Sequence, residues 1–340
     1  MLISILRTLL ECPRLFAAGM LACALLSVAC PAQEPTFRTS APVVLVPVTV
    51  TDRKGKFVET LKPEDFVLLS DGKEKAFHMD SAESVSAPLA IVIAVQTNDI
   101  SATANLKVRQ VGSLIQPLIT GDRGRAAVVG YGDTSVLLAD FTKDPNVLVD
   151  AFLRTSASQG GNAARQIDAV AYAAQLLDAR PQGERKILIL LGESKDRGSA
   201  TKMGDALKIV QKAAITVFAA TWSPYETAFT TKGNDTPNAT SDTDLLAGIG
   251  EMARLAKRDS ARRLVQATGG EKLGFATLKG LEHDLTRLGE ELHGQYLLSF
   301  PAQDAAPGYH SLEVQVKNRT GLKVRSRDGF WVAEKPEPKP

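Results

Sequence analysis

The side chains that do most protein chemistry are sparse here, and poorly spaced. Four histidines, His78, His283, His293 and His310, are scattered along the chain. His283 and His293 share one helical pattern, but they lie too far apart for the i, i+4 spacing that sets two imidazoles on one metal. The cysteines are Cys12, Cys23 and Cys30, and none follows. A thiolate zinc site, a thiol nucleophile and an internal disulfide are thereby excluded from the main body of the chain. There is no Gly-x-Ser-x-Gly elbow and no Walker lysine loop. Gly192-Glu193-Ser194 begins like a nucleophile turn, but Lys195 and Asp196 interrupt the place of the second glycine. These absences predict a protein that is not an enzyme.

What the sequence offers instead is a set of polar loops behind apolar runs. Gln96–Ser101 follows Leu89–Val95, Gly192–Ser199 follows Lys186–Leu191, and Thr221–Thr243 follows Thr216–Ala220. Gln159–Arg165 precedes a helical pattern. Loops carried by a rigid sheet and gathered at one end are a recognition surface. The candidate binding residues on them are Gln96, Thr97, Asn98, Asp99, Asn162, Glu193 and Asp196. Asp99 or Ser101 also suits the N-cap of the helix that follows, its side-chain oxygen accepting backbone N–H bonds. Trp222-Ser223-Pro224-Tyr225 suits either a partner groove or packing on the neighbouring loop. Arg254, Lys257, Arg258, Arg262 and Arg263 read as a solvated helix face partly offset by Glu251 and Asp259, with basic docking as the alternative.

The elements that position these loops change period twice. From 36 to 86 the pattern is β, with Val43–Thr51 extended, a turn at Asp52–Gly55 and a short helical turn at Leu61–Phe66. A strand at Phe66–Leu69 and an Asp71-Gly72 hairpin then lead into Lys75–Met79. From 88 to 293, apolar strands alternate with helical patterns at Ala104–Ile119, Asp144–Arg154, Arg165–Leu177, Lys202–Ala214, Asp244–Ala267 and Leu281–His293. A further strand pair is expected at Arg125–Gly132 and Ser135–Leu138. That alternation predicts a Rossmann-like three-layer α/β domain with a parallel sheet. From 295 to 333 the pattern is β again, and 334–340 is a Pro- and Lys-rich tail. Neither β segment can bury its own core. Together they make one small sandwich with the α/β domain inserted between its halves.

The chain has 340 residues, 44% of them hydrophobic and 23% charged, which is an ordinary globular composition. With 40 basic and 38 acidic residues the net charge is +2, which gives no drive toward nucleic acid. Arg7 and Arg14 precede the uncharged run Leu15–Cys30, shorter than the roughly 20 apolar residues of a spanning helix. Residues 1–32 therefore read as a signal peptide, cut after Ala29 or Ala32. A lipid anchor at Cys30 and an uncleaved membrane anchor are the alternatives. The expectation is an exported chain, periplasmic or extracellular, membrane-anchored in those alternatives, with no transmembrane span in its mature part.

Several ordered stretches carry a family resemblance. Val48–Asp52 with Gly55, Leu61–Phe66, Asp71-Gly72-Lys73, Lys186–Asp196, Thr268-Gly269-Gly270, Gln295–Phe300 and Val324–Phe330 resemble bacterial secreted VWFA-related proteins. The middle region resembles a von Willebrand factor A domain. That resemblance implies an adhesion-type module whose loops hold Mg²⁺, an ion that takes about six oxygen ligands. The family supplies an Asp-x-Ser-x-Ser loop, a Thr and a further Asp. This sequence departs at each place. Gln96 stands for the first Asp, Asn98 for the first Ser and Ile100 for the second. Asn162 or Ala164 stands for the Thr, and Glu193 for the last Asp. The expectation is a degenerate metal site and an unknown protein partner bound without a cofactor. The alternatives are a Mg²⁺-dependent adhesin using Asp99, Ser101 and Glu193, and an envelope scaffold.

Overall fold

The computed structural model describes residues 43–80, 88–98, 124–155, 161, 163–181, 183–222, 259–274, 278–302, 305–317 and 319–332. The leader, the helix expected at Ala104–Ile119 and the loop expected at 225–243 lie outside these residues, as do Asp99, Ser101 and Asn162.

The strands in chain order are β1 (Val43–Thr51), β2 (Phe66–Ser70), β3 (Lys73–Glu74), β4 (His78–Asp80), β5 (Leu89–Gln96), β6 (Gly124–Tyr131) and β7 (Ser135–Thr142). They continue with β8 (Arg185–Glu193), β9 (Thr216–Trp222), β10 (Lys272–Gly274), β11 (Tyr296–Pro301), β12 (Gly308–Val316), β13 (Lys323–Ser326) and β14 (Gly329–Val332). The described α-helices are α1 (Pro145–Arg154), α2 (Gln166–Asp178), α3 (Met203–Lys212), α4 (Ser260–Thr268) and α5 (Leu278–Gly294).

The central sheet has the order β10-β9-β8-β5-β6-β7. It is parallel except at β7, which pairs antiparallel with β6. Every residue of β5 is buried, because helices cover both faces. Side chains alternate across a strand. Ile91, Ile93 and Val95 therefore pack with Phe152 of α1 and Leu285 and Leu288 of α5. Ala90, Val92 and Ala94 face Val170 of α2, Val210 of α3 and Leu264 of α4. Two four-stranded sheets, β13-β1-β11-β4 and β14-β12-β2-β3, enclose a second core of Val46, Val48, Phe66, Leu68, Leu298 and Phe330. Each sheet combines strands from before and after the α/β region, so the three-layer α/β unit interrupts a sandwich, as the sequence pattern predicts. No helix among the described residues is long and apolar enough to cross a membrane.

Two local expectations need correction. The Asp71-Gly72 turn forms, with φ of 51° and 75°, but its return strand β3 spans only Lys73–Glu74. The chain then leaves the hairpin, and His78–Asp80 joins the opposite sheet against β11. Of the helix expected over Asp244–Ala267, residues 244–258 lie outside the described ones, and the described part begins only after Asp259. Asp259 is extended, with φ −71° and ψ 90°, and its carboxylate accepts the Arg262 N–H at 2.8 Å as the N-cap of α4. Gly269 ends α4 at φ 79°, as the glycine pair predicts.

Candidate functional site

The site is built where β5, β6 and β8 end. Gln96 closes β5 and is buried, and its Oε1 accepts the Glu193 N–H from the end of β8 at 2.8 Å. The amide thus ties two strand ends together. Thr97 donates both N–H (2.8 Å) and Oγ1–H (3.1 Å) to the Tyr131 carbonyl at the end of β6. Asn98 follows, 2% exposed, with its amide against Gly132. A Cβ at Gly192 would stand 2.2 Å from Tyr131 Oη and 2.9 Å from Gln96 Oε1, so only glycine lets β8 pass that ring.

The loop after β8 is locked onto the N-terminus of α2. Asp196 Oδ1 accepts Ile167 N–H at 3.0 Å and Ser199 Oγ–H at 2.6 Å. Ser199 N–H donates to Asp196 Oδ2 at 3.3 Å. Asp168 accepts Ala200 and Thr201 N–H at 3.0 and 2.8 Å. These bonds outweigh burial and hold the Asp168 carboxyl below its usual range. Asp196 N–H donates to Ser260 Oγ at 2.9 Å, Ser260 Oγ lies 2.7 Å from Gln166 Oε1, and Gln166 Nε2 donates to the Glu193 carbonyl at 2.9 Å. Lys272 pairs with Asp259 and donates to Ser194 Oγ at 3.0 Å. An isolated antiparallel bridge between Ala164 and Arg197 then joins this loop to the one before α2. It sets Arg165 and Arg197 on adjoining backbones.

Of the sequence candidates, Gln96, Thr97, Asn98, Glu193 and Asp196 are brought together. Their tasks differ. Gln96, Thr97 and Asp196 are engaged in holding strand ends and loops. Glu193 is ion-paired with Arg197, whose Nη2 lies 3.5 Å from Oε2. Asn98 presents both amide atoms without a hydrogen-bond partner. Sequence reasoning missed Tyr131, Arg165 and Arg197. Each follows a glycine-bearing loop or strand end that it did identify, but basic residues had no place in a search organised around cation ligands.

Seven buried side-chain polar atoms among the described residues lack a hydrogen-bond partner, and six belong to Asn98, Tyr131, Arg165 and Arg197. Such an atom costs about 1–3 kcal/mol, and native proteins keep few. Burial raises the Tyr131 phenol well above its usual pKa, with Glu193 and Asp196 adding in the same direction, so the hydroxyl keeps its proton.

These residues fit a divalent cation poorly. A Mg²⁺ site wants about six free oxygen ligands. Gln96 Oε1 is already spent on a backbone N–H, and Glu193 faces a guanidinium. No cluster of three His, Cys, Asp or Glu side chains suited to a metal occurs among the described residues.

No family model and no curated protein matches the chain. Among solved structures it is similar to von Willebrand factor type A from Catenulispora acidiphila, at 12% identity and TM-score 0.46, over 88% of this chain and 76% of that one. It is similar to an aerotolerance-related membrane protein from Bacteroides fragilis, at 11% identity and TM-score 0.40, over 60% and 99%. It is also similar to the conserved hypothetical protein BatB from Bacteroides thetaiotaomicron, at 13% identity and TM-score 0.38, over 60% and 97%.

Proposed function

We propose that this chain is an exported, non-enzymatic protein-interaction module that binds its partner, without a metal, through the loops at the carboxyl ends of the parallel strands. The observation that carries this reading is the concentration of buried, unpartnered polar atoms at that end, on Asn98, Tyr131, Arg165 and Arg197. Native proteins keep few such atoms, and their clustering at one end of the sheet sets that end apart from the parts that only hold the fold. Metal independence draws support from Arg197, whose guanidinium stands against Glu193, the carboxylate a cation would need.

Capture of partners from the source cell's envelope fraction by the full chain tests this. Asn98→Ala and Arg197→Gln should each abolish a band that the wild-type chain retains, equally in EDTA and in millimolar Mg²⁺. Unchanged capture in both variants removes the loop face from the account. Capture that needs Mg²⁺ replaces the metal-free reading with the metal-dependent adhesin.

A further inference from the structure

We propose that the cavity at one end of the sandwich binds a small organic carboxylate with an apolar body, its carboxylate held on the Lys73 and Lys75 ammonium groups. The site shares no residue with the loop face, so the two readings stand or fall separately.

The cavity has a volume of about 180 Å³, and strands of both sandwich sheets line it. An engineered protein cavity of roughly 150 Å³ takes up benzene, so a ring or a branched chain has room here. The apolar wall comes from Phe300 of β11, Phe330 of β14, and Ala302 and Ala305 between β11 and β12. Phe300 and Phe330 meet edge to face at 5.5 Å, and the His310 ring stacks on Phe330 at 5.2 Å. Rings packed against one another in this way give the wall a fixed shape.

The polar side is cationic by register. Side chains alternate across a strand. Lys75 extends the pairing of β3 by donating its N–H to the Leu68 carbonyl at 2.9 Å. Lys73 and Lys75 therefore line the cavity, while Glu74 between them turns to Lys317 at 3.8 Å. The carboxylate of the cavity, Asp71, is already engaged. Its Oδ2 lies 2.7 Å from His310 Nδ1, and its Oδ1 accepts the Ser311 N–H at 2.9 Å. Among the described residues neither lysine ammonium has an ion-pair or hydrogen-bond partner. An ammonium has three donors and no acceptor, so an anion is the group that complements the pair. An inorganic anion would leave the apolar wall uncovered. A carboxylate on an apolar body meets both sides of the cavity. The rival occupant is solvent alone.

The test is a set of thermal melts of the full chain at matched ionic strength. The probes are phenylacetate, its neutral twin phenylacetamide, acetate, which lacks the body, and inorganic phosphate. Phenylacetate should raise Tm saturably, with half-saturation at about 1 mM or below. The other three should need at least about tenfold more. Lys73→Gln and Lys75→Gln should each raise the half-saturating concentration about threefold or more, and the double variant should abolish the shift. Ala305→Leu fills the cavity and should abolish the shift with both lysines in place. Should that variant not fold, the lysine variants carry the test. No saturable shift with phenylacetate, or an unchanged half-saturating concentration in the double lysine variant, overturns the site and leaves solvent in the cavity. Phosphate binding as tightly as phenylacetate overturns the organic ligand. Asp304 lies outside the described residues. A phenylacetate shift that appears only in Asp304→Ala overturns the proposal in favour of the chain's own carboxylate.

Discussion

The two ends of the central sheet treat buried polarity in opposite ways. At the amino ends, where the α/β unit meets the sandwich, donors and acceptors are matched across chain segments far apart in sequence. Glu291, 1% exposed, accepts Thr49 Oγ1–H at 2.9 Å and pairs with Arg325. Arg325 also meets Glu271 at 2.9 Å. Arg185 donates to the Leu292 carbonyl at 2.8 Å and to Gln295 Oε1 at 2.6 Å. Burial lowers the Arg185 and Arg327 guanidinium groups to about 10, so both remain charged at neutral pH. Arg327 donates to the Gln211 carbonyl at 2.6 Å, and Gln211 Nε2 donates to Asp328 at 2.7 Å. Among the described residues only Arg287 Nε is left without a partner there. At the carboxyl ends six atoms are left. A network closed within the chain serves the fold, whereas one left open is suited to a ligand.

That contrast is broken or sharpened by mutation. The largest effect belongs to the closed end. Glu291→Ala leaves Arg325, Thr49 and Gln295 facing a void and should cost about 3–5 kcal/mol by urea unfolding, as removal of one member of a buried pair does. A loss below about 1 kcal/mol would show that the junction does not carry the assembly. At the open end, Gly192→Ala should cost about 1–3 kcal/mol, because the new methyl meets Tyr131 Oη. Adding Tyr131→Phe should recover part of that loss in a double-mutant cycle. Tyr131→Phe alone removes an unpartnered buried hydroxyl and should raise stability by about 1–3 kcal/mol by the same unfolding measurement.

The smallest effect belongs to the sandwich hairpin. His310 Nδ1 lies 2.7 Å from Asp71, and Nε2 lies 2.7 Å from the Ala306 carbonyl. The Ala306 carbonyl and then the Asp71 carboxylate hold the imidazole above its ordinary 6.5, while His310 holds Asp71 below 3.8. The His310 contribution is complete below pH 6.5 and is lost as pH rises through its folded value. The Asp71 contribution is complete above 3.8 and is lost as pH falls through its lowered value. Stability from this clasp should therefore be greatest between pH 3.8 and 6.5. Asp71 is 52% exposed, which limits the amplitude to about 1 kcal/mol or less. His310→Gln should flatten the profile in urea titrations across pH.

Much of this architecture is legible in the sequence because local physics decides it. The apolar run Leu89–Val95 is a strand buried on both faces, and the Thr268-Gly269-Gly270 stop does end a helix. The β segments at either end of the chain pair as a shared sandwich, since neither has a core of its own. Less legible are features set by distant partners. The short β10 has three residues and owes its place to β9. Asp259 reads as one more polar helix residue until its capping bond is seen. In the site, the loops were identifiable by polarity, but Arg165 and Arg197 were not. Their significance comes from what surrounds them, which no residue spacing encodes.

The account turns on whether the loop face binds its partner with or without a metal. The direct measurement is a thermal melt of the full chain with MgCl₂ titrated in after EDTA treatment, with partner capture run in the same two conditions. A ligand at 100 times its dissociation constant stabilises by about 2.7 kcal/mol, readable as a shift of a few degrees. Mg²⁺ at millimolar concentration should leave Tm unchanged, and capture should be equal in EDTA and in Mg²⁺. A saturable shift with Mg²⁺, with capture lost in EDTA, would contradict the account.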